Sequence, residues 1–301
     1  VPPKRAGKPR WTGPADTPIS VAAAAILENL RLALLREQAG IERGTDAQCL
    51  HRYRVALRRT RTLLAQLRRQ LPRQRVKQLR GDLVWLAELT TRVRDMDVYM
   101  HEWPAYRRVL PPARRADLQP LYAYLVTRRE HLRRILLRGL RSGRYRRVLL
   151  RWQALEAEIG ASGDGKTVRR VAAKRVARLI SRVKKRARRI HAQAPPQRLH
   201  KLRKDCKRLR YMLEFFGDSV AQLESSRLIA DLKTLQDALG TIHDLYVHHA
   251  ALREFRATLA PQVSPRQLAA MDGLLDHLQQ QRRGHYATLA PQLAAFVKLL
   301  S

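Results

Sequence analysis

Two stretches, Leu50–Leu64 (LHRYRVALRRTRTLL) and Leu199–Leu213 (LHKLRKDCKRLRYML), decide how this chain is read, because they are one pattern written twice. His51 lies 149 residues before His200, and the same offset carries Asp82 onto Asp231, Leu83 onto Leu232, Leu86 onto Leu235, Asp95 onto Asp244 and Val98 onto Val247 without a gap. One register held over this distance marks an internal duplication. On a helical wheel of about 100° per residue, His51, Arg54, Arg58 and Arg61 share an arc of roughly 80°. Tyr53, Ala56, Leu57, Leu63, Leu64 and Leu67 fill an opposite arc of about 120°, the expected core face. The second copy divides in the same way, with His200, Arg203, Lys207 and Arg210 set against Leu202, Cys206, Leu209, Met212, Leu213 and Phe216. Arg59 and Arg208 flank the stripes, and Arg52 and Lys201 follow each histidine. No acid occurs between His51 and Leu71, although an exposed helix ordinarily mixes signs. Repulsion along such a stripe has to be offset by a bound anion.

Outward from these helices the pattern stays helical from Ile19 onward, rich in Ala, Leu and Arg with apolar residues at three- and four-residue steps. Glycine and proline breaks, among them Pro104, Pro111-Pro112, Gly160 to Gly165, Pro195-Pro196, Gly217 and Gly240, leave roughly ten helices. The expected fold is all-α: two pseudo-symmetric helical bundles, an internal duplication, around a basic cleft or channel. Residues 1–17 are read as a basic linker from a preceding domain, 18–160 as the first helical half, 161–165 as a glycine-rich joint and 166–301 as the second helical half.

The balance of charge narrows the partner. Lys and Arg number 61 against 25 Asp and Glu, a formal net charge of +36 in 301 residues. Only 12 of the cations are lysine and 49 are arginine. Guanidinium offers a rigid, permanently charged donor fork that suits phosphate oxygens. Cys49 and Cys206 match neither a disulfide framework nor a zinc pattern, which points to a reducing, cytoplasmic setting. The most apolar stretch, ISVAAAAIL, is about nine residues long, half of what a bilayer span needs.

Catalysis and metal binding are the sharper alternatives, and the repeat argues against both. Asp95 and Asp244 pair with the two histidines in position, but no third ligand or nucleophile recurs; where the second copy has His243 the first has Arg94. No metal site, cofactor or catalytic residue is therefore expected, and the aspartates are read as orienting arginines. Gly163-Asp164-Gly165-Lys166-Thr167 is too short to be a phosphate-cradling nucleotide loop. Glu214, on the stripe side of the second helix, is expected to pair with Arg210. The runner-up is a sequence-independent nucleic-acid-binding protein, since any phosphodiester chain is drawn to such a surface. Single-strand readers add aromatic stacking platforms, however, and only 6% of this chain is Phe, Trp or Tyr. Weak, non-specific nucleic-acid binding at low salt is the expected residue of that reading.

At LHRYRVALRRTR with the later VRDMDV, and at LHKLRKDCKRLRYMLEF with the later LQDALGTIHDLYV, the chain resembles the CHAD family, the conserved-histidine α-helical domain. The resemblance covers about residues 18 to 300. It implies two helical bundles related by approximate twofold symmetry, a basic surface that binds inorganic polyphosphate, no enzymatic activity of its own, and a place at polyphosphate granules. Carried over by position, the binding set is His51, Arg52, Arg54, Arg58, Arg59 and Arg61 in the first copy, and His200, Lys201, Arg203, Lys204, Lys207, Arg208, Arg210 and Tyr211 in the second. Such domains often follow a CYTH triphosphatase domain, and the opening that ends in WTGPADTP resembles the joint between them. Because each stripe lies opposite its own apolar face, both are expected to be solvent-accessible and to line a common cleft through Arg54, Arg58, Arg61, Arg203, Lys207 and Arg210.

Overall fold

Alanine, leucine and arginine favour helix at nearly every position, and a computed structural model resolves them into helices throughout. It describes residues 9–44, 46–162, 165–190, 194–220 and 225–299. Residues 163 and 164 of the expected joint, and residues 1–8 of the opening, lie outside the described residues. The α-helices are α1 (Ile19–Arg43), α2 (Ala47–Gln66), α3 (Arg73–Arg108), α4 (Gln119–Leu140), α5 (Gly143–Ala161), α6 (Val168–Ala187), α7 (Pro196–Phe216), α8 (Ser225–Leu259) and α9 (Pro265–Leu299). Among the described residues the only extended pairing is an isolated bridge between Pro18 and Thr167. The first residues of α1 and α2 recur 149 positions later as the first residues of α6 and α7, so the repeat in sequence is also a repeat of helix starts.

Local chemistry sets several boundaries. Gly44, left-handed at φ 73°, closes α1 with its N–H on the Gly40 carbonyl at 2.9 Å. Asp46 then opens α2 by accepting from the Gln48 N–H at 2.7 Å, and Ser142 opens α5 by accepting from the Tyr145 N–H at 3.2 Å. Two expected breaks do not occur: Pro104 lies inside α3 and Gly240 inside α8. Pro104 forfeits one helical hydrogen bond, but its neighbours hold the turn. Trp103 packs 4.9 Å from the Tyr122 ring, and the Tyr106 hydroxyl shares a hydrogen bond with His248 Nδ1 at 2.9 Å. Gly240 costs only about 1 kcal/mol in a helix interior, and buried Leu239 and Ile242 flank it.

The chain sorts into two compact units that interleave in sequence. Unit 1 comprises residues 1–94, 133–181 and 207–230; unit 2 comprises 95–132, 182–206 and 231–301. In unit 1, α1 packs on α2 and on α5, with Ile26, Leu27, Leu30, Tyr53, Leu64, Val148 and Trp152 fully buried. Arg31 reaches across this core to Glu156, its Nε 3.0 and 3.1 Å from the two carboxylate oxygens. Burial pushes the Glu156 carboxyl up to about 7, against the pull of Arg31. In unit 2, α9 packs on the 3-10 segment Pro112–Leu118, and Leu125, Leu202, Cys206, Leu232 and Ala270 are buried.

The described part of the opening is docked rather than trailing. The Trp11 N–H donates to the Phe215 carbonyl at 2.9 Å, and Arg10 pairs with Asp218. The Val168 N–H reaches the Thr17 carbonyl at 2.9 Å, and Arg169 holds Asp16 through two bonds of 3.1 and 3.2 Å. Residues 10–18 thereby belong to unit 1.

Candidate anion-binding site

The apolar faces read from the wheel are the faces that pack. Tyr53, Ala56, Leu57, Leu63, Leu64 and Leu67 are all buried, as are Leu202, Cys206, Leu209, Met212, Leu213 and Phe216. The cationic stripes are thereby left on the other side. His51, Arg52 and Arg61 are exposed and Arg54, Arg58 and Arg59 half-buried; on α7, Lys201 and Lys204 are exposed and His200, Arg203, Lys207, Arg208 and Arg210 half-buried.

Within unit 1 the two stripes converge. Arg58 Nε donates to the Tyr211 hydroxyl at 2.8 Å, and Arg59 Nη2 donates to Glu214 Oε2 at 2.6 Å. Three guanidinium carbons gather round the Tyr211 ring, those of Arg210, Arg59 and Arg58 at 5.3, 5.5 and 6.0 Å from its centroid. Tyr211 itself is 1% exposed, with its hydroxyl receiving Arg58 and its ring beside the cations. The expected Arg210–Glu214 pair is present only at 3.9 Å, and the short partner of Glu214 is Arg59 on α2. Nor are the stripes fully open: the Arg59 and Arg210 side chains are 14% and 20% exposed. The buried Glu214 carboxylate and the tyrosine ring compensate them there, and among the described residues Glu214 is the one carboxylate paired within this group of three guanidinium groups.

The ends of the first stripe differ in kind. Arg52 turns to Glu37 at 2.9 Å and to Asp46 at 3.1 Å, tying α1 to the start of α2. His51, though exposed at the surface, sits among packed neighbours that partly shield its ring from water; that desolvation and the charges of Arg94, Arg58, Arg54 and Arg52, in that order, hold its imidazole below the usual histidine range. Arg61 lies near Arg80 of α3, and burial followed by that like charge lowers its pKa while Glu88 opposes.

In unit 2 the His200 ring lies 4.8 Å from that of His243, tilted by 32°. Arg203 reaches Asp244 at 3.4 Å and passes over Gly240, where a Cβ would lie 3.7 Å from Arg203 Nη2. Asp95 is half-buried in α3. Sequence reasoning passed over Asp205, which occupies the core position held by Ala56 in the first copy and is completely buried. Arg186 holds it at 2.6 Å and also donates to the Lys201 carbonyl at 2.9 Å, while Arg182 stands 3.8 Å away. An acid on an apolar wheel face was the signal that could have revealed this lock. Among the described residues no three His, Cys, Asp or Glu side chains gather where they could hold a metal ion.

A family model described as the CHAD domain matches residues 25–253. The crystal structure of the CHAD domain from the plant Ricinus communis is similar over 97% of this chain and 96% of that one, with 27% identity and a TM-score of 0.81. PptA from Streptomyces chartreusis shares the fold at 15% identity and a TM-score of 0.69, over 93% of this chain and 99% of that one. No curated protein matches. The family match spans most of the chain and includes both histidine helices, so this all-α protein belongs to the CHAD domain family.

Proposed function

We propose that this chain binds inorganic polyphosphate through the cationic faces of α2 and α7. The observation that carries the reading is the cluster of Arg58, Arg59 and Arg210 around Tyr211, held among the described residues by the single carboxylate of Glu214. Guanidinium groups fixed in this way present donors without the entropy cost of ordering free side chains, and their uncompensated charge selects a polyanion. Arg54, Arg61, Lys207 and Arg208 extend the surface in unit 1, His51 adds a donor, and His200, Lys201, Arg203 and Lys204 form the set in unit 2. Tyr211, Asp244 and Asp95 act as positioning residues on this reading, and Arg52 contributes mainly through its tie to Glu37 and Asp46.

Nucleic acid is the second reading, and one observation weighs against it. The only exposed aromatic among the described residues is Tyr246, 39% exposed, with the Arg282 guanidinium 5.6 Å from its ring centroid. A chain of charge without bases suits a surface of charge without stacking platforms. Competition between long polyphosphate and single-stranded DNA near 150 mM salt, where exposed charges are already well screened, is the deciding experiment. Polyphosphate should win, and equal affinities would overturn the preference. The binding is proposed as capture without turnover, so incubation with polyphosphate of defined length should release no phosphate. The same reading puts the protein in the cytoplasm at polyphosphate granules, where a fluorescent fusion should collect and an Arg54→Glu/Arg58→Glu fusion should not.

A further inference from the structure

α6 carries two arginines, Arg182 and Arg186, that lie outside the cationic faces of α2 and α7. They stand four residues apart and share one face of a helix that has no acid between Val168 and Ala187. Both belong to unit 2, and both turn to Asp205 of α7, which is completely buried. Arg186 Nη1 lies 2.6 Å from Asp205 Oδ2 and donates to the Lys201 carbonyl at 2.9 Å. Nε and Nη2 of the same guanidinium donate no hydrogen bond among the described residues. A buried carboxylate requires a cation beside it, and Arg186 meets that need. It does not account for Arg182, which stands 3.8 Å from Asp205 Oδ1, too far for a hydrogen bond. Its side chain is 49% exposed, against 34% for Arg186.

The two copies of the repeat differ at this point. The offset of 149 residues carries Ala33 onto Arg182, Glu37 onto Arg186, Asp46 onto Pro195, Arg52 onto Lys201 and Ala56 onto Asp205. In the first copy Arg52 has an acid on either side, Glu37 at 2.9 Å and Asp46 at 3.1 Å. The second copy has neither acid: an arginine stands at the Glu37 position, and the compensating carboxylate lies beneath, in the core. Over these five positions the formal charge goes from −1 to +2. The contact between the paired helices is retained, because Arg186 still reaches residue 201, through its carbonyl. The arrangement resembles that in unit 1, where buried Glu214 holds Arg59 at 2.6 Å and stands 3.9 Å from Arg210. In each case a buried carboxylate fixes one guanidinium closely and a second loosely.

We propose that Arg182 and Arg186, aligned by Asp205 alongside Lys201, form an additional phosphate-binding pair in unit 2, on the α6 side of α7. The pair rests on the polyphosphate reading above and extends it to a helix outside the two histidine helices, with Asp205 as the positioning residue. Guanidinium groups that a buried carboxylate already fixes lose little freedom on binding. Three cations, Arg182, Arg186 and Lys201, against one carboxylate leave a surplus that phosphoryl oxygens match. The equivalent Arg52 in the first copy is taken up by Glu37 and Asp46, so the pair belongs to the second copy alone.

The test titrates labelled long-chain polyphosphate against the wild type, Arg182→Gln and Arg186→Glu/Asp205→Ala, with urea unfolding to establish the fold of each. The double variant places the first copy's residues at both positions and offers Lys201 the acid that Glu37 offers Arg52. Arg182→Gln disturbs only a contact of 3.8 Å, and it decides the matter if the double variant does not fold. In parallel, the wild type is treated with an arginine-selective dicarbonyl reagent, with and without polyphosphate, and modification of Arg182 is read by mass spectrometry. Each variant should bind roughly tenfold more weakly, the scale of one charge-assisted hydrogen bond. The salt slope should fall by about 0.7 for every phosphate contact removed, and polyphosphate should protect Arg182 from the reagent. An unchanged affinity in folded Arg182→Gln overturns the pair and leaves the α2–α7 site standing. So does an Arg182 that reacts equally with and without ligand, even where the variants bind more weakly, since the arginines would then act only through the fold. A wild type that does not bind polyphosphate overturns the polyphosphate reading and the pair together.

Discussion

The two histidine helices share a sequence pattern but are built on different supports. Around the first stripe, in unit 1, the neighbours of His51 are arginines, and Glu214 and Tyr211 hold the guanidinium groups from beneath. Around the start of the second, in unit 2, His200 lies against His243, and Arg203 leans on Asp244. The apolar face differs too: Ala56 packs into the core in the first copy, whereas Asp205 is buried at the matching position and locked by Arg186. The two copies of the pattern share their outward charges and differ in their inward chemistry. On the polyphosphate reading proposed above, phosphate contact would constrain the outer face, while any arrangement that satisfies the inner face would serve.

Removing the inner supports should produce the largest effects. Glu214→Gln leaves Arg59 without its charge partner in a mostly buried position, and breaking such a pair costs about 3 kcal/mol of stability. Asp205→Asn should cost less, because its arginine partners reach water. Urea unfolding of the two variants measures the difference, and equal losses would erase the contrast between the two supports. Saturating polyphosphate should restore part of the loss in Glu214→Gln, because it supplies the missing negative charge.

Charge reversal of the outer faces comes next. Arg54→Glu/Arg58→Glu and Arg203→Glu/Lys207→Glu should each weaken long polyphosphate on the order of 100-fold, since charge-assisted hydrogen bonds contribute about 1.5–3 kcal/mol apiece. Fluorescence anisotropy with labelled polyphosphate reads both. Comparable losses would mean that both copies bind, and a loss confined to one pair would mean that the duplication has kept only one working face.

A smaller effect separates the histidines by pH. In the free protein the His51 pKa lies below its ordinary value of about 6.5, so at pH 6.5 the ring is mostly neutral. A polyanion beside it favours the charged form, so binding takes up a proton and tightens as pH falls from 7 toward 6, by no more than about tenfold. Without ligand the sign reverses for stability. The unfolded chain binds this proton more readily than the folded one, so the contribution is present above about 6.5 and is lost as pH falls toward the lower folded value. NMR titration of the His51 ring with and without polyphosphate follows the shift, and His51→Gln should flatten the pH dependence of binding. A His51 resonance that does not move would place the ligand away from it. The smallest expected change is that of Tyr211→Phe, which keeps the ring beneath the three arginines and removes only the hydroxyl that fixes Arg58. Roughly threefold weaker binding is expected, the scale of one hydrogen bond. An unchanged affinity would reduce Tyr211 to its ring.

The helical class, the two apolar faces and the cationic stripes were legible from residue types and spacing, because helical periodicity follows from local geometry alone. The starts of α6 and α7 fall at the repeat offset from those of α1 and α2. Pro104 and Gly240 were misleading because a helix-breaking propensity of one to three kcal/mol yields when the side chains around it are buried, as Trp103, Tyr106, Leu239 and Ile242 are. Pairing was harder still. Glu214 has Arg210 one turn away on its own helix, yet its short bond goes to Arg59, 155 residues distant in sequence. Arg52, next to His51 on α2, pairs with Glu37 of α1, which no spacing within α2 indicates.

What the sequence by itself determined is therefore a matter of periodicity and charge: that the chain is helical, which sides of the two histidine helices are apolar, and that their other sides are dominated by positive charge. What only the tertiary structure decided is which arginines are held close and by which partners. Helix propensity and hydrophobic period act within a few residues along one chain segment. An ion pair depends on a distance of a few ångströms between segments that the sequence keeps far apart, and it is set only once the apolar faces have packed.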